Sequence, residues 1–197
     1  MCAIFGVIGE NNPELIKKMS KVQEYRGPDK QNFLIKPNYN FCIGNNRLSV
    51  IDIKNGHQPM ESYDGNFTVV FNGTIYNHKD LKTVLLKKGV KFKTDCDTEV
   101  LVNGYSFWGE KVFNYIDGMW AVAIFDKIKK EIVLSRDYLG QKPLYYEMQK
   151  KKILFSSQLK GIIQDKSFTR EIDNESVKNF FFSSFLKSPS TIYKSVK

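Results

Sequence analysis

The second residue of the chain is a cysteine, and its place beside the N-terminus gives it a particular chemistry. Methionine aminopeptidases accept small residues at position 2, so removal of Met1 would leave Cys2 with both a thiol and a free α-amine. A free α-amine has a pKa of about 7.7 to 8, so it is partly neutral near pH 7 and can act as a base. Such a base generates the nucleophilic thiolate. Taken alone, however, the position favours a structural interpretation, a small apolar residue at the start of a strand.

The other cysteines and histidines indicate neither a disulfide framework nor a metal site. Cys2, Cys42 and Cys96 are an odd number without CxxC spacing, which argues against disulfides and against zinc. Only His57 and His78 could complete a metal site, so we expect none. Free thiols are typical of a reducing compartment, and we therefore expect a cytoplasmic protein.

Length and composition predict one folded domain. The chain has 197 residues, 42% of them hydrophobic and 14% aromatic, which fits a globular protein. No apolar run reaches the roughly 18 to 20 residues of a membrane helix, so we expect no membrane partner. The net charge of +9 comes mostly from scattered lysines. Without an aromatic-plus-arginine platform or a helix-turn-helix pattern, this charge does not predict nucleic-acid binding.

The hydrophobic pattern predicts strands and helices in separate blocks. The apolar run at residues 2–8 predicts a buried strand at the very start of the chain. Helices are expected at 13–25, 78–89, 97–109 and near the C-terminus, and further strands at 32–36, 40–44, 67–71, 119–125, 131–135, 143–148 and 152–157. Asp97 is a plausible N-cap of its helix. Because the elements do not alternate strand and helix, the pattern favours an α+β fold with antiparallel sheets and helices outside.

Nine short motifs occur in order along nearly the whole chain. They are MCAIFGVIG at 1–9, RGPD at 26–29, NRLSVID at 46–52, GHQPM at 56–60, FNGTIYNH at 71–78, DTEVL at 97–101, DGMWAVAIFD at 117–126, SRDYLGQKPLYY at 135–146 and FSSQLK at 155–160. With these motifs the sequence resembles the class II glutamine amidotransferases, which are N-terminal nucleophile hydrolases. Among them it is most similar to the glutaminase domain of asparagine synthetases. NRLSVID favours this branch, since the branches that make amino sugars or phosphoribosylamine carry a TRW-like segment there.

The resemblance implies a fold and a reaction. The fold is a four-layer αββα sandwich with two antiparallel sheets between helices. The reaction is hydrolysis of glutamine to glutamate and ammonia, with Cys2 as the nucleophile, and it requires no cofactor. In this context the catalytic interpretation of Cys2 outweighs the structural one. A non-catalytic domain that kept the fold is the alternative from another class.

The resemblance also assigns roles to individual residues. Asn72 and Gly73 match the oxyanion hole, where an amide NH₂ and a closely approached backbone N–H suit a tetrahedral oxyanion. The spacing alone would favour a hairpin turn at this Asn-Gly pair. Arg47 matches the residue that binds the α-carboxylate of glutamine, and Asp97 the one that pairs with its α-ammonium. Further contacts to glutamine are expected from Leu48, Ser49, Val50, Ile51 and Thr74.

Three positions carry weaker or unusual signals. Arg26 lies in a loop that the family closes over bound glutamine, so it is a lid candidate, although Gly27-Pro28 is equally explained as a turn. Thr74 stands where the commoner NGEIYN has Glu, and a reduced glutamine affinity is the expected effect. Gln158 stands where SELK-type segments have Glu, a position concerned with structure or domain contact.

The last residues indicate a longer protein. Residues 1–185 are expected to form the amidotransferase domain, and 186–197 to lead into a synthetase domain that the sequence lacks, since no SGGxDS-type ATP loop occurs. By resemblance, that domain would bind ATP and Mg²⁺ and would use the ammonia to convert aspartate to asparagine. Its acceptor could instead be another compound such as a sugar acid. The expected partners are glutamine and this domain, with a homodimer as an assembly to test.

Overall fold

The structure of the chain is a computed structural model that describes residues 1–197. The strands are β1 Ala3–Ile8, β2 Lys30–Lys36, β3 Phe41–Arg47, β4 Met60–Glu61, β5 Phe67–Ile75, β6 Gly118–Asp126, β7 Glu131–Arg136, β8 Tyr145–Met148 and β9 Ile153–Ser156. The α-helices are α1 Pro13–Lys21, α2 His78–Lys87, α3 Asp97–Trp108, α4 Leu159–Ile162 and α5 Asn174–Ser183. None of these helices is both long and apolar enough to cross a bilayer.

Two antiparallel sheets stack face to face between helices. The first sheet has the strand order β2-β3-β1-β9-β8 and the second β4-β5-β6-β7. An apolar core between the sheets joins side chains of both, including Ile4, Phe41, Val70 and Phe125. The outer face of the first sheet packs on α1, and that of the second on α3. The predicted α+β sandwich with two antiparallel sheets is therefore confirmed.

β1 is the middle strand of the first sheet and is buried along its whole length. Ala3, Phe5 and Val7 pack towards α1, whereas Ile4 and Ile8 point into the core between the sheets. A strand with both faces covered needs apolar residues at every position, which explains the continuous run in the sequence. The N-terminal strand is thus held in the centre of the first sheet.

The structure contradicts the predicted N-cap at Asp97, and it also lacks the hairpin turn that the spacing of Asn72 and Gly73 alone would favour. Asn72 and Gly73 lie inside β5, paired with Ala121 and Trp120 of β6, and form no hairpin turn. Asp97 is the first residue of α3, and the N-cap position belongs to Cys96. In both cases long-range packing of the strand and helix overrides the local turn and capping preference.

The C-terminal residues pack on the first sheet. Tyr146 of β8 and Lys197 exchange two backbone hydrogen bonds of 2.8 and 2.9 Å. Val196 is fully buried and pairs with Glu147 in an isolated antiparallel bridge. Residues 196 and 197 therefore extend the sheet beyond β8. The predicted boundary after residue 185 stays a prediction.

The aromatic core between the sheets yields a stability prediction. Phe125 is 1% exposed, and its ring centroid lies 4.0 Å from that of Phe41 on the opposite sheet. We expect Phe125→Ala to lower the free energy of unfolding by about 3–5 kcal/mol, because it removes apolar contacts and leaves a cavity. Urea unfolding followed by circular dichroism measures this. Phe181→Ala, at a site 83% exposed on α5, is the matched control and should change stability by less than about 0.5 kcal/mol. Equal losses in both variants would contradict the assignment of the core.

Candidate active site

A cleft of about 170 Å³ opens beside the N-terminus, where the ends of β3 and β5 meet the start of α3. It is lined by Met1, Cys2, Arg47, Leu48, Val50, Ile51, Gly56, Gln58, Phe71, Asn72, Gly73, Thr74, Cys96, Asp97, Thr98 and Lys142. The structure thus brings together nine residues that the sequence analysis predicted: Cys2, Arg47, Leu48, Val50, Ile51, Asn72, Gly73, Thr74 and Asp97. Two predicted residues, Ser49 and Arg26, do not line it.

The thiol of Cys2 is held against the chain that follows β3. The backbone N–H of Leu48 donates to Cys2 Sγ at 3.4 Å, and the Leu48 carbonyl accepts from Sγ at 3.6 Å. This contact follows from the register, because Ala3 of β1 pairs with Asn46 of β3.

The side chain of Arg26 contacts the backbone of Cys2. Its Nε–H donates to the Cys2 carbonyl at 3.1 Å, while its Nη2 is buried without a hydrogen-bond partner. The side chain is therefore placed to fix the backbone of Cys2, beside the cleft and outside its lining. The predicted lid role stays a prediction.

Asn72 carries an unusual polar group. The residue is 2% exposed, and its side-chain Nδ2 has no hydrogen-bond partner in the protein. An unsatisfied buried donor costs about 1–3 kcal/mol and is rare in folded proteins. The neighbouring Gly73 has no room for a side chain, because a Cβ there would lie 2.2 Å from the Met119 carbonyl oxygen. The cleft therefore keeps a donor available for an acceptor that the fold itself does not supply.

The guanidinium of Arg47 holds the loop that follows β3. Its Nη1 donates to the carbonyl of Ile53 at 3.0 Å, and its Nη2 to those of Ile51 and Asp52 at 3.1 and 2.9 Å. The side chain is nearly fully buried and lines the cleft. Three carbonyl bonds fix the orientation of this cation, so a carboxylate that enters the cleft meets a charge already in place. The role in carboxylate binding stays a prediction.

Asp97 supplies a buried negative charge to the same cleft. The residue is 4% exposed, and its Oδ2 accepts from the Ile75 N–H at 3.1 Å. Burial raises the pKa of this carboxyl above its ordinary value, and the hydrogen bond from Ile75 only partly offsets that effect. An ammonium group beside Asp97 would stabilise the ionised carboxylate, which burial disfavours. The site therefore suits a cationic ligand.

Arg47 and Asp97 lie near each other through their neighbours. A Cβ on Gly56 would lie 2.7 Å from Arg47 Nη2 and 2.9 Å from Cys96 Sγ, and Cys96 directly precedes Asp97. Glycine is required at position 56 for this close approach. A cation and an anion in one cleft can bind the α-carboxylate and the α-ammonium of a free amino acid.

The sequence analysis missed several residues of the cleft. Gln58 joins two elements, since its Nε2 donates to Thr98 Oγ1 at 3.1 Å and its Oε1 accepts from the Phe71 N–H at 2.6 Å. Lys142 reaches the cleft from the loop between β7 and β8. Gln58 and Lys142 lie inside quoted motifs, GHQPM and SRDYLGQKPLYY, which was the only signal available for them. No three His, Cys, Asp or Glu side chains come together as metal ligands.

Ser49 lies just outside the lining. Its backbone N–H donates to Asp29 Oδ2 at 2.8 Å, and the Asp29 N–H donates to the Arg47 carbonyl at 3.1 Å. The segment that carries Arg26 is thereby tied to the end of β3. Ser49 supports the loop that borders the cleft, and its predicted contact with a ligand stays a prediction.

Comparison with known proteins gives a consistent result. A sequence model of the glutamine amidotransferase domain matches residues 1–197. The putative asparagine synthetase (glutamine-hydrolyzing) 2 of Methanocaldococcus jannaschii is 37% identical, over 98% of this chain and 41% of the relative. Asparagine synthetase (glutamine-hydrolyzing) 1 of Bacillus subtilis is 35% identical, over 100% of this chain and 32% of the relative. The chain thus spans about a third to two-fifths of the length of these relatives.

Solved structures share the fold. The glutamine phosphoribosylpyrophosphate amidotransferase of B. subtilis, complexed with ADP and GMP, matches with a TM-score of 0.68 and 18% identity. The match covers 87% of this chain and 45% of that protein. An allosteric regulatory enzyme of purine biosynthesis matches with a TM-score of 0.67 and 18% identity. At this identity the likeness concerns the sandwich architecture alone.

The buried carboxylate of Asp97 leads to a prediction with opposite effects on stability and binding. Because burial raises its pKa, the ionised form is disfavoured in the folded chain, and the cost is present above that pKa and is lost as the pH falls below it. Asp97→Asn should therefore unfold at the same or a higher temperature at pH 7. Loss of the charge should raise KM for glutamine about ten- to hundredfold.

The pH dependence and a matched variant test the same idea. In the unsubstituted chain, KM should rise as the pH falls through the raised pKa of Asp97. Asp95→Asn is the control, since its side chain is 93% exposed and pairs with Lys82 at the surface. KM values that do not differ between the two variants would rule out Asp97 as the ammonium site.

A substitution at Arg26 distinguishes two roles of this residue, an anchor for the backbone of Cys2 and part of a lid. Arg26→Gln removes the Nε–H donor, so the residue carrying the thiol loses its fixed position. We expect kcat to fall about tenfold or more, with KM changed less than about twofold. Steady-state kinetics measures both, and Lys17→Gln, which removes an exposed cation from α1, is the control. A rise in KM at unchanged kcat would instead support the lid.

Proposed function

This chain belongs to the glutamine amidotransferase domain family, and from that premise we propose that Cys2, freed of Met1, is the nucleophile that hydrolyses glutamine. The neutral α-amine of Cys2 accepts the thiol proton, and the thiolate attacks the side-chain amide carbon. The tetrahedral oxyanion collapses to a thioester while the amine returns the proton to departing ammonia. Water, deprotonated by the same amine, then releases glutamate and restores the thiol.

One observation carries this proposal: the unpartnered Nδ2 donor of buried Asn72, in the same cleft as the thiol. An oxyanion hole needs donors that are oriented before the charge develops, because reorientation during the reaction would consume the stabilisation gained. A donor that the fold leaves unsatisfied is free to meet the oxyanion at each turnover. Removal of one such donor typically costs about a hundred- to a thousandfold in kcat.

The charged groups of the cleft support selectivity for glutamine. We assign the α-carboxylate to Arg47 and the α-ammonium to Asp97, with further contacts from the predicted residues of the lining. Simple amides lack both charged groups and would leave both charges of the cleft without partners. Thr74 carries no carboxylate, so Asp97 is the acidic group of the lining.

The length of the relatives supports a wider proposal. Because the relatives named asparagine synthetase are about two and a half to three times as long as the matched segment, we assign this chain to the amidotransferase part of such a synthetase. The ammonia would then amidate aspartate in a second domain, and ATP and Mg²⁺ would bind there. Exposed aromatic side chains are available to pack on it, namely Phe181 and Phe182 of α5 and Phe185 just after this helix.

Two further assignments complete the proposal. The three cysteines are free thiols, which suits a cytoplasmic location. The homodimer that the resemblance allows stays a prediction. Neither assignment affects the chemistry of the cleft.

A glutaminase assay tests the function directly. Protein whose N-terminal residue is Cys2, verified by mass spectrometry, should release glutamate and ammonia from glutamine. Cys2→Ala, which is also freed of Met1, should lose activity by at least about a thousandfold because the nucleophile is gone. Protein that retains Met1 should be equally inactive, because the nitrogen of Cys2 is then part of the peptide bond to Met1 and cannot act as a base.

The matched control deletes another thiol. Cys42 is fully buried in the packing between β3 and α1, outside the cleft, so Cys42→Ala should keep the activity of the folded fraction. Activity that survives in Cys2→Ala, or that is present in the Met1-retaining protein, would overturn the proposal.

A further inference from the structure

Lys142 is a buried cation without an anionic partner. Its residue is 9% exposed, and it forms none of the ion pairs of the protein. Its Nζ makes one contact, at 3.6 Å to the sulfur of Met1. Buried lysines are normally paired, as Lys152 is here, with Glu10 and Asp165 each at 2.8 Å. The contact with a thioether gives Lys142 almost no compensation, so its charge needs another explanation.

The backbone that carries Lys142 is firmly fixed. Asp137, itself 5% exposed, accepts the Lys142 N–H at 3.0 Å and the Trp120 N–H at 3.2 Å on Oδ2. Its Oδ1 accepts the Gln141 N–H at 2.8 Å. The carboxylate of Asp137 is therefore occupied by backbone donors and forms no ion pair with the ammonium. The fold directs an uncompensated positive charge into the cleft.

The partner of this ammonium changes when the chain matures. Met1 is the residue that precedes Cys2, so its removal takes away the contact of Nζ with the Met1 sulfur and leaves a free α-amine on Cys2, which lines the same cleft as Lys142. We propose that Lys142 is a positioning residue whose ammonium keeps the α-amine of mature Cys2 neutral, and so able to accept the thiol proton, and stabilises the thiolate that this transfer forms. This inference rests on the proposed glutaminase function and adds a residue to its mechanism.

The physical argument is electrostatic. A positive charge close to an amine disfavours the protonated form, and the same charge favours a thiolate. Both effects bear on the first step, in which a neutral amine acts as the base and the thiol becomes a thiolate. The ammonium acts through Cys2 and needs no contact with the substrate.

Other charged groups around Cys2 do not duplicate this role. Arg26 binds the Cys2 carbonyl, and Arg47 is bonded to three carbonyls of its own loop. Asp97, the anion of the cleft, accepts from Ile75 and would be neutralised by the α-ammonium of the substrate. His57 is exposed and lies 3.5 Å from Arg47, and Cys96 is directed at Asp97. Unlike the guanidinium groups of Arg26 and Arg47, the ammonium of Lys142 has no oxygen acceptor.

The test compares Lys142→Met, which removes the charge and keeps an unbranched side chain, with Lys142→Arg, which keeps the charge. Both are studied as protein that begins with Cys2. The acid limb of the pH profile of kcat/KM reports the α-amine, and we expect it to move up by about one pH unit in Lys142→Met. At pH 7 this lowers kcat/KM about three- to tenfold, whereas Lys142→Arg should keep the original profile. An unmoved acid limb in Lys142→Met would overturn the inference.

A second readout does not depend on glutamine. The rate at which iodoacetamide alkylates Cys2, followed on the N-terminal peptide by mass spectrometry, reports thiolate formation at each pH. Its profile should also move to higher pH in Lys142→Met and be restored in Lys142→Arg. If the unsubstituted chain alkylates in this manner but releases no glutamate, the proposed function fails and the assignment of Lys142 stands.

Two alternatives give different results. A role of Lys142 in binding the substrate would raise KM and leave both pH profiles unmoved, which would overturn the inference. A purely structural role would lower the unfolding temperature without moving either profile, with the same consequence. If Lys142→Met does not fold, Lys142→Gln provides a second neutral side chain for the same two measurements.

Discussion

The pairing of β1 between β3 and β9 is the constraint on which the candidate site depends. A chain that begins in the middle of a sheet has its first strand fixed by two neighbours, and only the residues before Ala3 remain outside the ladder. Because β1 and β3 are antiparallel, the start of one lies beside the end of the other. This register brings Cys2, Arg47 and Leu48 together, without any requirement on the loop conformations.

The cleft collects polar groups that reduce the stability of the empty protein. Asn72 has an unpartnered donor, Asp97 has a carboxyl whose pKa burial raises, and Lys142 has an ammonium without a counter-ion. Each group is poised for a partner that arrives later, either the substrate or the matured N-terminus. Strain of this kind is expected where a protein is preorganised for a reaction. The apolar cores between the sheets and beneath α1 and α3 offset this loss of stability.

The sequence supported the fold class and most of the lining, and the limits of that reasoning have physical causes. The family resemblance rested on nine motifs, and the match over the whole chain confirms it. Local propensity failed at Asn72-Gly73, because a strand already paired along its length with β6 overrides a turn preference. The strand order, in which β1 lies between β3 and β9, depends on the pairing of β1 with a strand at residues 153–156, a long-range contact that no periodicity encodes. Lys142 was missed for the same reason, since its contact with Met1 spans 141 positions.

The hydrogen bonds between Tyr146 and Lys197 have a consequence for aggregation. β8 ends the first sheet, and an end strand exposes a row of unpaired N–H and C=O groups to which a second molecule can add by continuing the sheet. Residues 196 and 197 occupy part of that row, and the burial of Val196 secures them there. Residues 196 and 197 thus protect part of the edge of β8. Without them, the N–H and C=O groups of this edge would be open to pairing with a strand of a second molecule.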